Sequence, residues 1–343
     1  MAMGLHLRSE SQSVAPLSKE IRYRVWWALY VLDTSLSGIT GRPPRVGEAF
    51  CTTPLPMPFD EGDLHNQLVQ KDFDDKAARS RPSFNLLDNM RRNASTNDQN
   101  EDGAPGRLAP RKRSLNKDEN VALAISESPQ PSDSLCFSYG VGLTMLMREA
   151  INTLYAPSTA HKQWVEVEIA IASLNVKANT WLASLPASYQ FQRVCMTGPL
   201  RHQLSRLAFQ FYSTKLLITQ PCLRRLMYSS AEMSDAPEDL FDPMASICIQ
   251  ATGQLLDLLP DEPNLTWLYG VVPWWCALHY LMQAITIILT ESFLRANFGT
   301  VDTIGISPKL KKATAWVKAL SKVDISAQKA FLISSDIISR QVS

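Results

Sequence analysis

Paired cysteines are the first thing this sequence lacks. Cys51, Cys136, Cys195, Cys222, Cys248 and Cys276 are scattered over 343 residues, and no two form a Cys-x-x-Cys unit. A structural zinc ion normally draws its thiolates from such tight pairs, because one short loop then presents two ligands to a tetrahedral centre. Most of these cysteines fall in apolar helical stretches and read as small buried hydrophobes of a reducing compartment. A charge imbalance is missing too. Lys and Arg total 34 against 33 Asp and Glu, a net charge of +1, so no global field draws the molecule to nucleic acid or an anionic membrane. Strand-like alternation and fixed-period repeats are absent. So are a dinucleotide-binding glycine fingerprint, a phosphate-binding lysine loop, a nucleophile elbow and a His-Glu-x-x-His pair. The five histidines, His6, His65, His161, His202 and His279, lie far apart. Residues 1–7 form a short apolar stretch with neither a basic segment nor a small-residue cleavage site.

What the sequence has instead is helical periodicity. Ser18 is the predicted cap of a first helix over residues 18–40, in which Ile21, Val25, Leu29, Leu32 and Leu36 keep one face apolar. Gly41-Arg42-Pro43-Pro44 ends it, and the proline-rich residues 51–60 should run extended along the surface of a helix bundle. Residues 61–133 change character. Charged and small polar residues dominate, too sparse in apolar side chains to offset ordering entropy, and this stretch reads as a disordered insertion. Within it, Asn85-Leu86-Leu87 and Val121-Ala122-Leu123-Ala124-Ile125 are short segments suited to transient turns or docking.

Periodicity returns and lasts to the end. Helices are predicted over 135–155, 161–185, 199–220, 243–259, 265–294, 307–322 and 324–340. Pro199 opens the third of these, Gln220-Pro221 closes it, and Ser307-Pro308 and Asp324 serve as later start signals. Trp164, Ile171, Leu174, Ala178 and Trp181 mark one buried face; Leu200, Leu204, Leu207, Phe211 and Ile218 mark another. The fold class is therefore all-α, an irregular multi-helix bundle. Its organisation is an N-terminal helical part at 1–60, the polar insertion at 61–133 and the remaining helices at 134–343.

Candidate chemistry is thin. His279 sits near Trp274, Trp275 and Tyr280, where a satisfied core histidine competes with an acid–base role. Asp33 lies beside the apolar face of the first helix, and Arg22 or Arg24 is within reach of a structural ion pair. A pocket lined by Trp267, Trp274 and Trp275 is one reading of that aromatic group; plain core is the other. Residues 263–290 carry no charge, and 271–289 is long enough to span a bilayer. Against a span, Pro273 interrupts the run, and His279, Gln283, Thr286 and Thr290 form a polar stripe fitting a core helix with one edge near water. Arg111-Lys112-Arg113 is the most basic cluster and reads as a nuclear-import segment or as solvated linker charge, with Ser114 a phosphorylation site beside it. No catalytic, cofactor-binding or metal-binding set emerges, and the chain reads as a non-enzyme.

One stretch is more specific. Gly4-Leu5-His6-Leu7, then Glu20-Ile21-Arg22-Tyr23-Arg24-Val25-Trp26-Trp27 with Asp33 following, then Gly41-Arg42-Pro43-Pro44, resembles the fungal-specific transcription factor domain, the middle homology region of zinc binuclear cluster regulators. Ile21 and Tyr23 stand where arginine is commoner in that family. The segment from Tyr212 to Gln220-Pro221 is similar to a later family helix ending in Arg-Pro. The likeness is strong over residues 1–60 and looser over about 135–295. It implies the helical regulatory region of a nuclear transcription regulator, starting partway into the homology region. DNA would then be contacted only through a zinc cluster that this chain does not carry, with zinc expected only there. The implied partners are co-regulators or the transcription machinery, a small-molecule effector and a second copy in a homodimer, with no membrane. The rival readings are an all-helical enzyme or binding protein acting on an apolar molecule through His279 or Asp33, and a membrane protein anchored by 271–289.

Overall fold

The computed structural model describes residues 4–9, 11, 13–46, 51–57, 59, 62, 132–191, 201–230, 243–297 and 307–342. These residues contain nine α-helices and no strand. The helices are α1 (Pro16–Thr40), α2 (Asp133–Leu154), α3 (Trp164–Ser184), α4 (Arg201–Ser230), α5 (Pro243–Asp257), α6 (Leu265–Val271), α7 (Trp274–Asn297), α8 (Pro308–Leu320) and α9 (Ile325–Val342). Most of the insertion at 61–133, including Arg111, Lys112 and Arg113, lies outside the described residues, as do Cys195, Pro199 and Leu200.

Local chemistry explains most boundaries. Ser132 caps α2 by accepting from the Leu135 amide at 3.2 Å, and Asn264 caps α6 by accepting from Trp267 at 2.9 Å. Gln163 and Glu166 form a capping box at the start of α3. The Asp324 carboxylate takes the Ala327 amide at 2.9 Å at the start of α9. Gly41, at φ 65°, is the left-handed cap that ends α1.

Four expectations need correction. α1 starts at Pro16, with proline in its favoured first-turn place and Ala15 before it, so Ser18 is not the cap. α4 does not stop at Gln220-Pro221 but runs through Pro221 to Ser230. Pro221 removes one rung of the ladder, yet Cys222 and Leu223 beyond it are each only 1% exposed, and their burial holds the last turns in place. The helix predicted over 265–294 is two helices, α6 and α7, separated at Val272 and Pro273. Finally, the apolar face of α1 points outward. Ile21, Val25, Leu29, Leu32 and Leu36 are 40–48% exposed, while Glu20, Tyr23, Trp26, Trp27, Tyr30, Thr34 and Ser37 are buried. Large amphipathic aromatics with polar partners outcompete a purely aliphatic stripe for the packed side.

α4 is the axis of the bundle and packs against α2, α3, α5, α6 and α7. Phe211 of α4 stacks on Trp181 of α3 with centroids 5.6 Å apart, and Phe209 stacks on Tyr280 of α7 at 5.8 Å. Ile171, Leu174, Ala178, Leu204, Leu207 and Ile218 are buried as the periodicity indicates. α8 and α9 close the far side, where fully buried Trp316 donates its indole N–H to the Pro260 carbonyl at 3.1 Å. The described cysteines are free thiols, four of them buried on helices; burial raises Cys276 to about 11 and Cys248 to about 12.

α7 is long and apolar enough to cross a membrane. Here it packs against α4, α5, α8 and α9, and Gln283 of its polar stripe accepts from the Ser213 hydroxyl at 3.0 Å. His279 is partly buried on the same helix, and desolvation lowers its pKa below the ordinary 6.5. Protonation therefore favours the unfolded chain: the stabilising effect of neutral His279 is present above the unfolded-state value and is lost as pH falls through it. An NMR titration should show His279 half-protonated below the ordinary histidine value, with His279→Gln flattening the acid side of the stability curve. Truncating Trp316 to alanine should cost about 3–5 kcal/mol in denaturant unfolding, from its lost core volume and hydrogen bond.

Candidate functional site

The residues of the N-terminal motif come together where α1 lies on α2, and the chain after α1 folds back along the seam. α1 approaches α2 closely at Gly38, where an added Cβ would collide with the terminal methyl of Met147. Trp26 and Trp27 extend from the opposite end of this contact. The Trp27 indole donates to the Pro54 carbonyl at 2.8 Å, and the Trp26 indole to the Cys51 sulfur at 3.1 Å. Each ring buries its apolar body in a cluster with Tyr30, Leu55, Val141 and Met145 and uses its polar edge to hold the proline-rich strip. His6 packs on Trp26 with centroids 5.8 Å apart, and its carbonyl accepts the amides of Thr52 and Thr53.

Two carboxylates fix this strip at its ends. Glu20, with no exposed surface, accepts the Met57 amide at 2.7 Å and the Arg24 side chain at 3.3 Å. Arg24 then reaches the carbonyls of Met57 and Phe59, and the Ser134 hydroxyl on α2 also donates to Phe59 at 2.7 Å. At the other end Asp33 accepts the amides of Arg45 and Val46, each at 3.0 Å from Oδ2. Its ion-pair partner is Arg148 of α2, 3.7 Å away, and not Arg22 or Arg24. The sequence distance misleads because Arg24 is taken by Glu20 one turn earlier. Arg148 also donates to the Val46 carbonyl and lies over the Tyr30 ring at 5.0 Å.

Of the predicted motif, Glu20, Arg24, Trp26, Trp27 and Asp33 converge, and Gly41, Arg42 and Pro43 form the exposed turn that brings residues 45–46 back to Asp33. Arg22 and Val25 face outward. Arg148 escaped sequence reasoning, although a single arginine directly after the apolar run Leu143-Thr144-Met145-Leu146-Met147 was a signal for a buried partner. Of the three tryptophans read as a pocket lining or as plain core, Trp275 meets Trp274 edge-on with ring centroids 5.8 Å apart. Trp274 borders a surface cleft of about 560 Å³ with Leu265, Thr266, Tyr269, Val323 and Asp324, whereas Trp267 packs on Trp316. Among the described residues no group of three or more His, Cys, Asp or Glu side chains could hold a metal ion.

The clasp is built to fix geometry. Its carboxylates are occupied by backbone amides and guanidinium groups, and its tryptophans by carbonyl and sulfur acceptors. Residues 1–133 match the family model described as the fungal specific transcription factor domain. The match stops where α2 begins, short of the looser likeness over 135–295. Transcription regulator galc of Aspergillus niger is 26% identical over 380 residues, covering 99% of this chain and 42% of that protein. A sorbicillinoid biosynthetic cluster transcription factor of Hypocrea jecorina is 29% identical over 119 residues, 30% of this chain and 17% of that protein. An uncharacterized transcriptional regulatory protein of Schizosaccharomyces pombe is 39% identical over 56 residues, 16% of this chain and 7% of that protein. The chain thus spans less than half the length of these relatives. No solved structure matches it.

Replacing Glu20 by alanine should cost about 1–3 kcal/mol, because the Met57 amide loses its buried acceptor. Amide exchange at Met57 should speed up at least tenfold, while exchange in α4 follows only the global stability. A double-mutant cycle on Asp33→Asn and Arg148→Met should give a coupling of about 0.5–3 kcal/mol.

Proposed function

We propose that this chain is the regulatory region of a longer fungal transcription regulator, in which a separate zinc-cluster segment contacts DNA. The observation that carries this reading is the coincidence of the family match at 1–133 with the clasp that its motif residues build. Glu20, Arg24, Trp26, Trp27 and Asp33, with the Gly41-Arg42-Pro43 turn, hold α1 and the proline-rich strip in one orientation against the bundle. In this role the chain presents surfaces to co-regulators or the transcription machinery and does no chemistry. The region works in the nucleus, with Arg111-Lys112-Arg113 as its import cluster. A small-molecule effector and a homodimer are further elements of the proposal, supported only by the family likeness. The division into a clasp unit at 1–60, a polar insertion at 61–133 and the helical remainder at 134–343 belongs to the same reading.

Fused to an unrelated DNA-binding domain, the chain should change transcription of a matching reporter several-fold. The Glu20→Ala and Asp33→Asn fusion should alter that output at equal protein level. The purified chain alone should show no sequence-specific retardation of DNA; tight, specific binding by the chain itself would overturn the proposal.

A further inference from the structure

α9 is apolar on two sides. Ala327, Ala330, Phe331 and Ile338 pack on the core, where α9 meets α7 and α8. The opposite face carries Ile325, Leu332 and Ile333, 59–75% exposed, among the exposed charges of Lys329, Asp336 and Arg340. At 3.6 residues per turn these six positions fall within a sector about 100° wide. Aliphatic side chains concentrated on the side facing away from a helix's own core mark a contact surface.

The six positions are symmetric about the midpoint between Leu332 and Ile333. Turned end for end onto a second copy, the face sets Leu332 of one chain on Ile333 of the other. Lys329 then meets Asp336, and Ile325 lies along the aliphatic stem of Arg340. Each contact occurs twice, which is the self-complementarity that a two-fold interface requires. Arg340 pairs with Asp336 along the helix at 2.8 Å, so both side chains stand on this face. Parallel copies would instead oppose Lys329 to Lys329 and Asp336 to Asp336. The end-for-end arrangement also brings the first turn of each α9, capped by Asp324, beside the last turn of the other, where the helix dipoles attract. The aliphatic face of α1 fails the same test. Arg22 is exposed at its start and Arg42 and Arg45 just beyond its end, so two copies paired along it would oppose like charges in either direction.

The apolar surface continues past the start of α9. Val323, 65% exposed, lines the cleft that Tyr269 and Trp274 border, and Trp274 is itself 60% exposed. With Ile325, Leu332, Ile333 and Ile337 these side chains leave roughly 800 Å² in water, about one partner's share of a standard stable interface. We propose that this face binds a second copy of the chain, α9 packing antiparallel on α9 about a two-fold axis between Leu332 and Ile333. This gives the homodimer of the regulatory reading a surface, and it rests on that reading only for the expectation of two copies.

Sedimentation equilibrium of the full chain tests it, and at micromolar concentration the mass of two copies is expected. Leu332→Ser combined with Ile333→Ser, both exposed in the single chain, should raise the dissociation constant about tenfold or more while leaving helix content unchanged. Lys329→Asp alone and Asp336→Lys alone should each weaken self-association by about threefold or more. An equimolar mixture of these two variants should pair as tightly as the original chain, because every opposed charge is then of unlike sign. A dimer indifferent to the serine pair, or a mixture no tighter than its components, would overturn the proposal. A monomeric chain that still changed reporter transcription would overturn this surface and leave the regulatory reading standing.

Discussion

A carboxylate sealed from water is tolerable only when donors replace its hydration, and Glu20 meets that condition with the Met57 amide and the Arg24 side chain. The rest of the outer layer follows from this. Arg24, oriented by Glu20, turns to the carbonyls of Met57 and Phe59; the strip is then held at the right height for Trp27 to reach Pro54 and Trp26 to reach Cys51. Asp33 repeats the arrangement three turns later with the amides of Arg45 and Val46. Two acidic side chains of one helix thus organise an irregular segment that has no ladder of its own.

How much of this was legible in the residues depended on the kind of interaction. The all-helical class, the stop at Gly41 and the buried faces of α3 and α4 follow from spacing and capping chemistry, which are local. The orientation of α1 was hidden because two faces compete. One is aliphatic and regular; the other mixes Trp26, Trp27 and Tyr30 with Glu20 and Thr34, and only its long-range partners make it the buried one. Arg148 was hidden for the same reason, since its partner Asp33 lies more than a hundred residues away. The run through Pro221 shows that a strong local breaker yields when residues beyond it, here Cys222 and Leu223, are buried.

The carboxylates of Glu20 and Asp33 are engaged by backbone amides and guanidinium groups, whereas the buried Nδ1 of His6 meets no hydrogen-bond partner among the described residues, and the buried thiols of Cys248 and Cys276 are kept protonated by desolvation. The polar groups here serve orientation, and what the molecule offers outward is surface: a stripe on α1, and a cleft edged by Tyr269 and Trp274.

The clasp joins α1, which ends at Thr40, to α2, which begins at Asp133. Closing so long a loop has an entropy cost that grows only logarithmically, about 0.6 kcal/mol for each doubling of length. The intervening residues can therefore lengthen, shorten or acquire new motifs at a cost smaller than that of losing one buried hydrogen bond. A clasp of this design draws its stability from contacts at the two ends of the connection, and the length between those ends changes it only slightly.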